Sequence, residues 1–264
     1  MGIDLLIFGL DGVMFDTDEA QVRACKDAFA HCGITFHWSA AQYRETVRSR
    51  GAFNAISAAI GDIVPSLKNR QIDELMCEKN RLLHQYVLEG MAKPHQACVR
   101  LASEAYASGC KLAVVTDMPA RATTALLERS FGDAVTDMFA VVVSGAAFSD
   151  AADNGPHHLA MRTVGIDASH SAAIDTAAPA LHAAQAAGIW TIAATPYAKD
   201  VARIAGADLW CPQLQELRDL IGRKQTPRER GKRFVTFDSL RVLKKSQLDG
   251  IPVLRPTMPI RPNV

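Results

Sequence analysis

The chain has 264 residues, 48% of them hydrophobic and 22% charged, with a formal net charge of +1. This is a globular profile, long enough for one sizeable core and an inserted subdomain. No apolar run approaches the roughly 20 residues of a membrane span, and no basic, signal-like region precedes the first apolar stretch, so a cytoplasmic protein with no membrane segment is expected.

Chain order begins with an apolar run, Leu5-Leu6-Ile7-Phe8, that stops at Gly9-Leu10-Asp11-Gly12. Such a run reads as a strand buried on both faces, the first of an α/β sheet. Ligands in these sheets bind beyond the carboxyl ends of the strands, so Asp11 is expected to point into a site. Asp16-Thr17 opens a helix with a stripe of Val22, Cys25, Phe29 and Cys32, closed by Gly33. Residues 37–90 are helical in pattern. Ser39 can cap a segment around Tyr43 and Val47; Phe53, Ile56 and Ile60 form one stripe, and Ile72, Leu75, Met76, Leu83, Tyr86 and Val87 another. A wholly helical block between the first two strands of a sheet reads as an inserted cap.

The chain returns to the core near Lys93-Pro94, and Cys98, Leu101, Ala102 and Ala105 make a helix that Gly109 ends. Strands are then predicted at 111–116, 139–145, 171–176, 191–195 and 207–212. Helices fall between them at 119–129, near 157–164 and at 179–187, with a closing helix at 214–221. This alternation predicts a Rossmann-like parallel sheet wrapped on both faces. From Arg223 the pattern breaks. RFVTFDSLRVL reads as a strand and IPVLRPTMPIRPNV carries four prolines, together an extended tail without its own core. The domains are therefore 1–16 with 92–222 (core), 17–91 (cap) and 223–264 (tail).

Charge is unevenly spread: the tail carries +8 and residues 1–222 carry −7. The basic patches Arg223-Lys224, Arg228 to Arg233 and Lys244-Lys245 favour an acidic protein partner or self-association through the tail, and its strand-like segment suits a partner's sheet edge. Aromatic residues there are limited to Phe234 and Phe237, which argues against nucleic acid. Six cysteines are scattered without C-x-x-C or zinc-ligand spacing, so they are expected to be buried free thiols.

IFGLDGVMFDT resembles the first motif of the haloacid dehalogenase (HAD) superfamily, D-x-D-G-[TV]-x-x-D-[ST] after an apolar strand. The resemblance implies a nucleophilic first Asp, an acid/base second Asp, Mg2+ and a lysine that stabilises the phosphoryl oxygens. Here Asp11 stands at the acid/base position, with Gly12 and Asp16-Thr17 as in the motif, but Gly9 leaves the nucleophile position vacant. LAVVT matches the second motif through Thr116, whose hydroxyl suits a phosphate oxygen, with an additional carboxylate at Asp117. Anchored on Pro156, the third motif places Asp153 where the lysine belongs. No lysine occurs from 112 to 198, leaving Arg121 and Arg162 as substitutes. In the fourth motif, IDTAAPALHAAQAAG, Ile174 replaces a Glu while Asp175 and Thr176 persist. Asp175 and Asp11 remain as Mg2+ ligands, fewer than a tight site wants. GITFHWSAAQY (33–43) is similar to the cap of the xylulose bisphosphate and phosphoglycolate phosphatase branch, alongside β-phosphoglucomutase. Its substrate-reading loop is altered: Gly51 precedes uncharged Ala52 to Ala55, with Arg48 and Arg50 just before it.

Residues that set the fold are kept while those that do the chemistry are replaced. The expectation is a HAD-like pseudophosphatase, a non-catalytic binding, regulatory or scaffold protein with a small-molecule ligand between core and cap. The alternative is a hydrolase acting on a phosphorylated or ester metabolite by a non-standard route, such as water activated by Asp11 or Asp175. Asp11, Asp117, Asp150, Asp153 and Asp175 are expected at the sheet's carboxyl edge, either as a ligand pocket or simply solvated. His157-His158, in the first turn after Pro156, reads as an exposed pair rather than as ligands.

Overall fold

The structure, a computed structural model, describes residues 2–35, 38–50, 69–145, 155–194, 206–211, 214 and 235–249. At its centre is β1 (Leu5–Phe8), every residue of it buried. The chain then makes a two-residue strand, β2 (Phe15–Asp16), and, among the described residues, the helices α1 (Asp18–His31), α2 (Ala40–Arg50) and α3 (Asn69–Leu88). It comes back through β3 (Lys93–Pro94), which pairs antiparallel with β2, Phe15 opposite Pro94 and Asp16 opposite Lys93. One short ribbon therefore carries both connections to the helical cap.

Beyond it come α4 (Gln96–Ala107), β4 (Lys111–Val115), α5 (Ala120–Phe131), α6 (Val135–Met138), β5 (Phe139–Val143), α7 (Gly155–Val164), β6 (Ser171–Asp175), α8 (Ala178–Ala186), β7 (Trp190–Ala193) and β8 (Leu209–Trp210). The six core strands are parallel in the order β5-β4-β1-β6-β7-β8. The chain builds outward from β1 to β5, then crosses back to β6 and builds the other way. Strand order thus reverses around β1, and the crevice above the ends of β4, β1 and β6 is where such sheets bind ligands. The predicted α/β sheet with a helical cap is the observed fold. Its closing helix and the tail's last residues lie outside the described residues.

Helices α1 and α3 pack along each other through Ala24, Cys25, Ala28 and Phe29 on one side and Leu75, Leu83 and Val87 on the other. Burial of large apolar side chains contributes about 2 kcal/mol each. Helix α2 rests against α8, so the cap lies over the carboxyl end of β6. Four cysteines are buried (Cys25, Cys98, Cys110, Cys211), two are exposed (Cys32, Cys77), and all six are free. Among the described residues no helix is long and apolar enough to cross a membrane.

The tail departs from expectation. Residues Phe237–Leu248 form a helix, α9, not a strand. Thr236 caps it, its hydroxyl accepting from Ser239 N, and Asp238 sits in the first turn, where carboxylates favour the helix dipole. Phe237, Leu240 and Leu243 are buried against the core. Arg100 donates to Val235 O (2.9 Å), and Glu104 accepts from Phe237 N (3.2 Å), joining α9 to α4. Lys244 belongs to no exposed basic patch: it is 3% exposed and donates to the carbonyls of Ser169, Ser171 and Gly2. A helix already packed on the core has no free strand edge to offer a partner.

Candidate functional site

Beyond β1 the backbone turns sharply. Met14 and Phe15 both donate to Leu10 O, and Gly12 adopts φ +71°, with Thr176 Oγ1 3.0 Å from where its Cβ would stand. Glycine alone fits that turn without strain. The turn aims Asp11 back into the crevice. Its Oδ1 accepts from the hydroxyl of buried Thr17, while its Oδ2 is out of solvent contact and has no hydrogen-bond partner. Burial pushes the Asp11 carboxyl up to about 7, with Asp18 and Asp117 adding to the rise and the Thr17 hydrogen bond and Lys79 opposing it.

The register of β1 and β6 pairs Phe8 with Ile174, which sets Gly9 beside Asp175. Asp175 Oδ1 accepts from Thr176 N (2.7 Å) and Ala177 N (2.8 Å) at the start of α8. Its Oδ2 lies only 2.2 Å from the ideal Cβ position of residue 9, and its Cγ only 2.8 Å. The Asp175 carboxylate therefore occupies the room that a side chain at position 9 would take. Burial raises Asp175 to about 7, opposed by the two backbone donors and reinforced by Asp117. Thr116, at the end of β4, is buried with its Oγ1 accepting from Met118 N (3.2 Å).

The cap supplies the opposite wall. Tyr43 on α2 is fully buried, set edge-on to Trp38, and its hydroxyl has no partner. Burial raises its pKa, with the charge of Asp11 the next cause. Lys79 on α3 is 4% exposed. Burial lowers its pKa, and nearby Cys25, Asp117 and Asp11 oppose that shift. An ion pair between Arg44 and Asp18 fastens α2 to the start of α1.

Lys79 is the residue that motif reading missed, because the search for a lysine ran through the core from 112 to 198. A signal was present: Lys79 interrupts the buried face of α3, four residues after Leu75 and four before Leu83. Tyr43 reads in the sequence only as part of a segment that Ser39 can cap, and its unpartnered hydroxyl emerges only in three dimensions.

Of the predicted acidic cluster, Asp11, Asp117 and Asp175 do come together, and the first and last are not simply solvated. Asp150, Asp153 and the loop from Gly51 to Ala55 lie outside the described residues, as do the side chains of Arg48 and Arg50. Arg121 and Arg162 are solvent-exposed and do not replace a buried lysine. His157 is buried, not exposed: its Nδ1 is unpartnered, and burial lowers its pKa to about 4. His158 is exposed as expected.

Magnesium suits six hard oxygen ligands in near-octahedral geometry. Gly9 contributes no side-chain oxygen and Asp175 Oδ1 is taken by two amides, which leaves Asp175 Oδ2, Asp11 Oδ2 and the neighbouring Asp117 carboxylate as the acidic oxygens of this site among the described residues. Among the described residues no group of three or more His, Cys, Asp or Glu side chains converges as a metal site. These donors do not fit a tightly held Mg2+. The site's chemical means are two carboxyls that titrate near neutrality, a buried ammonium and a buried phenol.

Relatives share the whole frame. Protein CbbY of Cereibacter sphaeroides is 25% identical over 225 residues, covering 83% of this chain and 96% of its own. The plasmid-borne CbbY of Cupriavidus necator is 28% identical over 193 residues, covering 71% and 76%. Among solved structures, CbbY from Rhodobacter sphaeroides in complex with phosphate superposes with a TM-score of 0.65 at 23% identity, covering 79% of this chain and 93% of that one. A mutant of that protein in complex with xylulose-(1,5)bisphosphate gives 0.66 at 24% identity, with the same coverage. β-Phosphoglucomutase from Clostridium difficile gives 0.65 at 15% identity over 94% of this chain and 99% of that one. With the profile of haloacid dehalogenase-like hydrolases matching residues 6–194, the chain belongs to that family.

Proposed function

We propose that this chain is a non-standard hydrolase of the haloacid dehalogenase family, acting on a small phosphorylated or ester metabolite held between core and cap. The observation that carries this reading is the pair of unpartnered, buried polar atoms, Asp11 Oδ2 and Tyr43 Oη, in one cleft with buried Lys79. Leaving such groups unsatisfied costs roughly 1–3 kcal/mol each, and a ligand bearing hydroxyl or anionic oxygens relieves that cost. Lys79 suits the anionic end of the ligand. A carboxyl at about 7 is matched to proton transfer at neutral pH, which gives Asp11 the acid/base role. CbbY proteins with phosphate and a sugar bisphosphate in their structures support a substrate of this class.

Purified protein assayed on a panel of sugar phosphates and carboxylate esters should turn over at least one, and Asp11→Asn should slow it by roughly 100- to 10,000-fold. A second reading, a binding protein without catalysis, is favoured by Gly9 alone. It predicts calorimetric binding of a sugar phosphate with no product released, and measurable turnover that depends on Asp11 would rule it out.

A further inference from the structure

Family resemblance leaves position 9 without a nucleophile, yet the fold fills that room from the neighbouring strand. The β1–β6 register sets Gly9 beside Asp175, and Asp175 Oδ2 stands 2.2 Å from the point a Cβ on residue 9 would occupy. No side chain at position 9 and the present Asp175 rotamer can coexist. The carboxyl is held in that pose from behind: Oδ1 takes both Thr176 N and Ala177 N, so the second oxygen is the one directed at Gly9. In the same site the fully buried, unpartnered Tyr43 hydroxyl and buried Lys79 lie near Asp11.

Building on the hydrolase reading above, we propose that Asp175 is the nucleophile of this site, its Oδ2 taking the place of the side chain that position 9 lacks, and that the substrate is a phosphate monoester. In the first half-reaction an Oδ2 lone pair forms a bond to phosphorus. The bond from phosphorus to the ester oxygen breaks, its electron pair leaves on that oxygen, and the proton carried by Asp11 is transferred there. In the second half, water attacks phosphorus and gives a proton to Asp11. The phosphorus–Oδ2 bond breaks, its electrons return to the Asp175 carboxylate, and inorganic phosphate departs. Lys79 offsets charge on the phosphoryl oxygens during both steps.

The test uses the full chain with para-nitrophenyl phosphate, quenched in acid during turnover and mapped by peptide mass spectrometry. A phosphoryl group on Asp175, convertible to homoserine by borohydride, is the expected result. Asp175→Asn keeps an oxygen for the two backbone donors. It should retain its thermal unfolding midpoint while losing the label and about 1,000-fold or more in turnover. Gly9→Ala adds one methyl against Asp175 Oδ2 and should also slow turnover at least tenfold. Turnover with the label on another residue or on none, or a Gly9→Ala variant as fast as wild type, overturns the assignment and leaves the hydrolase reading standing. A gain of activity in Gly9→Asp also overturns it, because that side chain would displace Asp175. A wild-type protein that turns over neither this ester nor the metabolite panel sinks both.

Discussion

Two buried lysines lie at opposite ends of the sheet and do different work. Lys244, on α9 near the amino ends of the strands, places its ammonium on the carbonyls of Ser169, Ser171 and Gly2. Its three donors meet three acceptors, so it acts as a strut that ties the last helix to the start of β1 and β6. Lys79, on α3 over the carboxyl ends, is as deeply buried, yet it lies among Cys25, Asp117 and Asp11, with no backbone carbonyl accepting from it among the described residues. A buried ammonium saturated by backbone supports the fold. One held among titratable groups in a cleft is available to a ligand's anionic oxygens.

Exchanging the two lysines for Met should separate these roles. The largest expected effect is on Lys79→Met, with turnover down by about 100-fold or more and the urea midpoint little changed; equal rates in mutant and wild type would break the distinction. Lys244→Met should do the reverse. It leaves three carbonyls without their donor and should cost about 3 kcal/mol of unfolding free energy, with turnover within a few-fold of wild type. A Lys244→Met protein of undiminished stability would show that α9 is held by its apolar face alone.

The functional end should also be the pH-sensitive one. Asp11 and Asp175 both rise from 3.8 to about 7, because burial penalises their charged forms. Their protonated forms are favoured in the fold, so this stability is fully present below about pH 4 and is lost as pH rises through about 7. Each group can remove at most about 1.4 kcal/mol per pH unit in that window. Urea midpoints measured from pH 5 to pH 8 should therefore fall with rising pH, and less steeply in Asp175→Asn. A midpoint that rises over this range would contradict the buried, raised pair. The smallest effect concerns the structural end: Thr236→Ala removes the cap of α9 and should cost about 1 kcal/mol, measured by thermal unfolding, without altering turnover.

Much of the core was legible in the sequence. Short apolar runs at Leu5–Phe8, within Lys111–Val115 and within Ser171–Asp175, alternating with helical segments, point to a buried parallel sheet, with Asp11 just beyond one strand and Asp175 at the end of another. The cap's contribution was not. Lys79 sits on a stripe whose other members are ordinary core residues, Tyr43 is the one buried side chain among the described residues of α2, and periodicity cannot say which helix face closes over a site. His157 was misjudged for a related reason, since helix position alone does not reveal which side of the first turn is covered. In the sequence leading into α9, the closely spaced Phe234, Val235 and Phe237 suggest a strand, while Thr236 with Asp238 and Ser239 carries the helix start that decides the outcome.

Sequence by itself determined the family frame, the crevice at the ends of β4, β1 and β6, and the vacancy at Gly9, because these follow from local patterning and from the side chains present. Tertiary structure decided what fills that vacancy. The one-to-one pairing of β1 with β6 carries Asp175 into the room beside Gly9, and the packing of α3 on α1 brings Lys79 near Asp11 and Asp117. Both depend on contacts between segments far apart in the chain, which neither spacing nor composition encodes.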